Sequence, residues 1–392
     1  MSRSFVPPER MLLGPGPSDI HPRVLAAMAR PTLGHLDPAF VAMMDDLKEL
    51  LRGAFRTRNA MTLPLSGPGS AGMEACVVNL VELGDEVIVC ENGVFGGRLR
   101  ENVERAGGVA IPVRDEWGRA VDPGKVEEAL AAHPKAKAVA FVHAETSTGA
   151  LSDARTLCEI ARRRGCLTIV DTVTSLAGVP VEVDAWGIDA TYSGSQKCLS
   201  CTPGLSPASF SDRALEVVRA RKRKVQSWLL DLSLLAAYWD EGHKRTYHHT
   251  APIHPLYGLH EALVLLEEEG LEASWARHRR HHLALRAGIE AMGLSLAVPE
   301  NERLPELNVV RIPEGVDDAA VRKILLEEHA IEIGAGLGAL AGKVWRVGLM
   351  GHSSRAHKVY RFLGALEASL ACVGARIERG VAVEEARRAL SE

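Results

Sequence analysis

Long apolar runs are missing from this sequence. No stretch approaches the ~18 apolar residues that a membrane span needs, and the opening Met-Ser-Arg-Ser-Phe-Val-Pro-Pro lacks the apolar core of a secretory signal. Neither a membrane role nor secretion is therefore expected. A strong charge of one sign is also missing: 46 Lys and Arg stand against 50 Asp and Glu, giving a net charge of −4. That balance supplies no field to draw a nucleic acid, and the basic run from Arg219 to Lys224 reads as one solvated helix face. Paired cysteines are lacking. The seven present form an odd set, scattered in apolar segments or beside Lys197, which fits a reducing compartment better than a disulfide framework. With a C-terminal Leu-Ser-Glu that is no peroxisomal address, the cytoplasm is the expected location. Repeats and low-complexity tracts are absent, and Phe is scarce, with seven in 392 residues.

What is present is a chain long enough for two packed cores, since one core stops growing at ~250–300 residues. Residues 1–15 read as an N-terminal arm ending in the Gly and Pro alternation of Leu12 to Ser18, which prevents both helix and strand ladder. Helices are expected from about Pro22 and from Pro38 to about Phe55. From residue 62 to about 211, seven short apolar runs alternate with helical stretches, the pattern of an α/β domain with a mostly parallel seven-stranded sheet. Longer helices follow, and strand-like pieces return at Leu307 to Ile312, Ile331 to Ile333 and Lys343 to Val347. The division expected is a large domain over 16–270 and a smaller α+β domain over 271–392.

In parallel sheets, ligands sit beyond the carboxyl ends of the strands. Tyr-Ser-Gly-Ser-Gln-Lys, Tyr192 to Lys197, follows one such strand and presents a lysine amine; Asp171 ends another, 26 residues earlier. The pair suits pyridoxal phosphate: a lysine holds the aldehyde as a Schiff base, and a carboxylate keeps the pyridine nitrogen protonated. Taken singly, the lysine reads as a surface charge and the aspartate as a helix cap. Ser66 to Gly72, with Gly69, Ser70 and Ala71, forms a glycine-rich turn into a helix and is a candidate phosphate cradle. It carries neither a nucleotide-binding Gly-Lys-Ser nor a dinucleotide fingerprint. Phe95 lies in a Gly-rich loop, where it could stack on a ring or fill the loop. The hydroxyls after His143 could hydrogen-bond a ligand or cap the next helix. His278, His281 and His282 have metal-capable spacing without a completing ligand, and are read as a solvated helix face. No metal site is expected.

Together, Leu-Leu-Gly-Pro-Gly-Pro-Ser (12–18), Ser-Thr-Gly (147–149), the lysine motif, Tyr-His-His-Thr (247–250) and Gly-Lys-Val-Trp-Arg-Val-Gly (342–348) make the chain resemble the alanine–glyoxylate and serine–pyruvate aminotransferases. These are class V pyridoxal-phosphate enzymes of fold type I, and the resemblance spans nearly the whole chain. It implies the aspartate-aminotransferase-like fold and amino transfer from a small amino acid, alanine or serine, to glyoxylate or pyruvate. Lys197 would carry the Schiff base and Asp171 pair with the ring nitrogen. Gly69, Ser70, Ala71 and Gln196 would hold the phosphate, with Tyr247 and Thr250 reaching in from the other subunit of a homodimer. Thr146 would lie near the phenolic oxygen, Val173 and Phe95 against the ring, and Arg346 with Gly16 at the substrate carboxylate. Two departures stand out: Phe95 replaces the usual Trp, and Pro68-Gly69-Ser70 replaces Ser-Gly-His. The alternatives are an aminoethylphosphonate transaminase, a lyase of the desulfurase or kynureninase type, and a non-enzymatic binding protein. A desulfurase needs a cysteine in a small-domain loop, and 331–342 contains none.

Overall fold

Seven of the apolar runs pair into one sheet in a computed structural model that describes residues 3–239 and 245–391. The strands are β1 (Met61–Ser66), β2 (Glu86–Glu91), β3 (Val109–Arg114), β4 (Ala138–Val142), β5 (Leu167–Asp171), β6 (Ala190–Tyr192) and β7 (Leu205–Phe210). Their order is β1-β7-β6-β5-β4-β2-β3; β7 runs antiparallel to both neighbours and the other pairings are parallel. Central β4 and β5 are buried along their whole length, which is why they read as continuous apolar runs, whereas edge strand β3 is largely exposed. β1, β2, β4, β5 and β6 all end on one edge of this sheet, so the residues after them converge there.

Helix boundaries follow local chemistry. Pro38–Phe55 opens with Asp37 accepting the Ala39 N–H at 2.8 Å and proline in the first turn, and it buries Phe40, Met44, Leu47 and Leu51 against the sheet's core. A second core gathers Leu285, Ile289, Val310, Trp345, Phe362 and Leu366. Around it lie the antiparallel strands β8 (Leu307–Arg311), β9 (Gly334–Ala335) and β10 (Val344–Gly348), in the order β8-β10-β9, and the helices Leu271–Ala291, Asp318–Glu328 and Ala356–Cys372. Met11–Leu12 pairs in parallel with Ile331–Glu332, and Met11 and Leu13 are buried in this second core. From there the chain crosses back: the Ser18 hydroxyl donates to the Lys197 carbonyl at 2.7 Å. The turn between is thus strung from one core to the other.

Three expectations change. His278, His281 and His282 are not a solvated face; all three are buried. His278 Nε2 accepts the Gly351 N–H at 2.9 Å, His281 bonds Ser354 and His282 bonds Asn308. Burial holds His278 at about 3 and the other two at about 4, so they pack uncharged. Phe95 lies not in a loop but in the first turn of helix Val94–Arg105. The basic run falls mostly beyond helix Asp212–Arg219, and Arg221 donates to the Asn79 and Val81 carbonyls at the end of helix Gly69–Leu80.

Candidate active site

Strand register creates the centre of the site. β5 and β6 pair so that Asp171 lies beside Tyr192. The Asp171 carboxylate accepts the Val173 N–H at 2.8 Å on Oδ1 and the Tyr192 hydroxyl at 2.8 Å on Oδ2. Only 3% of Asp171 is exposed, and burial pushes its pKa up to about 7, against the pull of those hydrogen bonds. The chain continues from β6 through Ser193 to Lys197, whose ammonium is also buried. Burial lowers its pKa to about 8. An amine that is partly neutral near physiological pH is a usable nucleophile and base.

The Gly14–Ser18 turn reaches this amine. Lys197 Nζ donates to the Pro15 carbonyl, and Gly16 has φ +109°, with no space for a side chain because a Cβ would stand 2.5 Å from Nζ. Glycine is needed here for both backbone and space. The Ser18 N–H donates to Gln196 O at 2.9 Å, fixing the lysine loop from the same side.

A cavity of about 210 Å³ opens against Lys197 and Asp171. On one side it meets the start of helix Gly69–Leu80, where Pro68 supplies no capping side chain. Gly69 and Ser70, the first residues of that helix, line the cavity at the positive end of the helix dipole. A Cβ on Gly69 would come within 3.1 Å of Val173, so the backbone approaches closely. Gln196 Oε1 is buried there without a hydrogen-bond partner among the described residues. Phe95, Val173 and Thr146 line the walls. An uncapped helix start, an orphaned amide oxygen, a buried amine and a buried carboxylate fit a phosphorylated, ring-containing aldehyde.

Arg346, on β10, is buried. Its Nε donates to the Ala335 carbonyl at 2.7 Å and Nη1 to the Thr146 carbonyl at 3.2 Å. Among the described residues it has no carboxylate partner, which leaves donor capacity for an anionic ligand.

The cavity thus gathers Lys197, Asp171, Gly69, Ser70, Phe95, Thr146, Val173 and Gln196; Gly16 touches it through Lys197 and Arg346 through Thr146. Ala71 does not line it, its methyl lying toward Gly67. Tyr247 and Thr250 are exposed outside it, their hydroxyls 3.4 Å apart. Sequence reasoning missed Tyr192 as the partner of Asp171, and Met73, Arg98 and Thr174 in the cavity wall. The Asp171–Tyr192 pairing could have been found by aligning the two short strands at their ends.

A sheet of this order, with a buried lysine and aspartate at its carboxyl edge and a smaller α+β unit beside it, is the aspartate-aminotransferase-like fold. The chain belongs to the class-V aminotransferases, whose family model matches residues 14–365. Its (S)-ureidoglycine–glyoxylate transaminase relative from Bacillus subtilis is 40% identical over 98% of this chain and 96% of that protein. The ureidoglycine–glyoxylate aminotransferase structure from Bacillus subtilis superposes with a TM-score of 0.97, both chains being covered completely. An alanine–glyoxylate aminotransferase structure from Nostoc sp. is 48% identical with a TM-score of 0.92, covering 94% of this chain and 97% of that one.

Proposed function

We propose that this aminotransferase binds pyridoxal phosphate in the cavity and moves the amino group of a small amino acid, alanine or serine, to glyoxylate or pyruvate. The observation that carries this reading is the buried pair Lys197 and Asp171 lining one cavity, with the guanidinium of Arg346, which has no carboxylate partner among the described residues, bonded to the Thr146 carbonyl at its wall. Pyridoxal phosphate supplies, when bound, an aldehyde for an amino group and a ring that accepts electrons. Lys197 Nζ serves as the amine that holds the aldehyde and, once displaced by substrate, takes the proton from the substrate Cα. Asp171 would face the ring nitrogen and hold its proton, with Tyr192 fixing the carboxylate. The start of helix Gly69–Leu80, through Gly69 and Ser70, would hold the phosphate with Gln196. Phe95 and Val173 would enclose the ring, Thr146 would lie at its phenolic side, and Arg346 with Gly16 would bind the substrate carboxylate.

The working form in this reading is a homodimer, with Tyr247 and Thr250 completing the partner's phosphate site. Their exposure on their own chain supports this, as do the exposed Leu33, Leu36, Trp228 and Leu229. Seven free cysteines, six of them buried, support a reducing cytoplasm, and no helix among the described residues is long and apolar enough to cross a membrane.

Relatives named for glyoxylate favour glyoxylate over pyruvate as acceptor, and the Bacillus subtilis likeness favours a second donor, ureidoglycine. The test is a half-reaction survey: alanine, serine, ureidoglycine and aminoethylphosphonate are each added to cofactor-loaded protein, the change in cofactor absorbance is followed, and glyoxylate or pyruvate is added to reverse it. A response to aminoethylphosphonate alone would overturn the substrate reading. Near-normal transamination by Lys197→Ala would overturn the mechanism.

A further inference from the structure

Glu145 is fully buried, and no role in amino transfer requires a second acid at that place. Its carboxylate is nonetheless engaged on both oxygens. Oε2 accepts the N–H groups of Phe95 at 3.1 Å and Gly96 at 3.2 Å; Oε1 accepts the Ser147 N–H at 3.0 Å and the Ser147 hydroxyl at 2.6 Å. The Ser147 hydroxyl in turn accepts the Val94 N–H at 2.9 Å. The Val94, Phe95 and Gly96 N–H groups belong to the first turn of helix Val94–Arg105, whose own N-cap residue, Gly93, has no side chain. A Cβ at Gly93 would lie 2.4 Å from both Glu145 Cγ and Ser147 Oγ, so the helix start is packed directly onto this pair.

A helix cap needs only a short polar side chain at the N-cap position. Here the cap comes from a different element, at the expense of burying a carboxylate. That element is the hairpin Ala144–Glu145 with Ala150–Leu151, and its next residue, Thr146, gives its carbonyl to Arg346 Nη1. One carboxylate thus joins the residue at the cavity's aromatic wall to the strand that restrains the cavity's guanidinium.

We propose that Glu145 is a positioning residue: it fixes the Phe95 ring against the cofactor and, through the Glu145–Ser147 turn, sets Arg346 for the substrate carboxylate. This rests on the reading of the cavity as a pyridoxal-phosphate site. The geometry also says what glutamine would do at this position. Its amide offers one oxygen to one pair of donors and turns an NH2 group toward the other pair, so one of the two ties must break.

The experiment titrates cofactor-free wild type, Glu145→Gln and Ser147→Ala with pyridoxal phosphate by absorbance, then measures KM and kcat at saturating cofactor. Glu145→Gln is expected to weaken cofactor binding about tenfold or more, the size of losing hydrogen bonds to a charged group. It should also raise KM for both carboxylic substrates while leaving kcat within about threefold, since the reacting groups are untouched. Ser147→Ala keeps the carboxylate and should weaken cofactor binding by a smaller factor, with KM unchanged. Wild-type affinity and KM in Glu145→Gln would overturn the proposal. So would a drop in thermal stability with both constants unchanged, the mark of a cap alone. If Glu145→Gln does not fold, unchanged cofactor affinity in Ser147→Ala overturns it instead. A wild-type chain that takes up no pyridoxal phosphate defeats the cavity reading itself, a result distinct from tight binding by wild type and variant alike.

Discussion

Lys197 should destabilise the cofactor-free protein, by an amount that depends on pH in a calculable way. In the unfolded chain its amine has the ordinary pKa of 10.5; burial in the fold lowers it to about 8. At about 1.4 kcal/mol per tenfold change in proton affinity, that interval corresponds to about 3 kcal/mol against folding. The sign follows from proton counts. Between pH 8 and 10.5 the unfolded state holds the proton and the native state does not, so stability rises with pH across that window; below 8 the full penalty remains. Asp171 behaves oppositely. Its pKa rises from 3.8 to about 7 by burial, so stability falls as pH climbs from 4 to 7, by about 4 kcal/mol. Between pH 7 and 8 both penalties act together, and the cofactor-free protein should be least stable there.

Lys197→Met keeps the length of the side chain and removes the charge. It also removes the bond to the Pro15 carbonyl, whose loss costs about 1 kcal/mol. The net expectation is a cofactor-free variant about 2 kcal/mol more stable than wild type at pH 7.5. By pH 10.5 the advantage should be gone and slightly reversed, because the wild-type lysine is then neutral when folded and half so when unfolded, which leaves only a few tenths of a kcal/mol of the penalty against the lost hydrogen bond. Equilibrium guanidinium unfolding of both cofactor-free proteins, at equal concentration and at the two pH values, measures this. A variant less stable than wild type at pH 7.5, or a difference that ignores pH, would refute the argument that the buried amine is strained.

Gly16→Ala should abolish turnover, by about 100-fold or more, with the fold retained, because the methyl would occupy the space of Lys197 Nζ; a circular dichroism spectrum alongside kcat checks both. Arg346→Ala should raise KM for donor and acceptor alike by about tenfold or more, through loss of a charge-assisted grip, and an unchanged KM would remove Arg346 from the substrate site. Asp19 and Lys358 pair at 2.5 Å and both are largely buried. Asp19→Ala leaves the ammonium with the His352 carbonyl as its remaining partner, and should lower unfolding free energy by about 3 kcal/mol. A denaturation midpoint equal to that of wild type would show the pair to be idle.

The part of this molecule legible in the sequence is the part whose signal is local. β4 and β5 are covered on both faces, so they are mostly apolar, and Lys197 and Asp171 stand out because each comes at or after the end of a buried strand. Burial of the histidine trio was illegible for the converse reason. His278, His281 and His282 lie on a helix polar along much of its length, and nothing in the spacing tells which polar stripe will meet Gly351, Ser354 and Asn308 from elsewhere in the chain. Tyr192 and Glu145 were hidden by the same limitation. Tyr192 matters because strand register sets it beside Asp171, and Glu145 because its carboxylate meets N–H groups some 50 residues earlier. Backbone donors leave no trace in residue type. The residues proposed to do chemistry at this site can therefore be read one at a time, while those that hold them in place emerge only when the strands are paired. The restraint on Lys197 belongs with that second set: the Pro15 carbonyl holds its amine from a turn anchored at Leu13 to Gly348 and at Ser18 to the lysine loop, so any shift of the smaller core relative to the sheet must move that restraint.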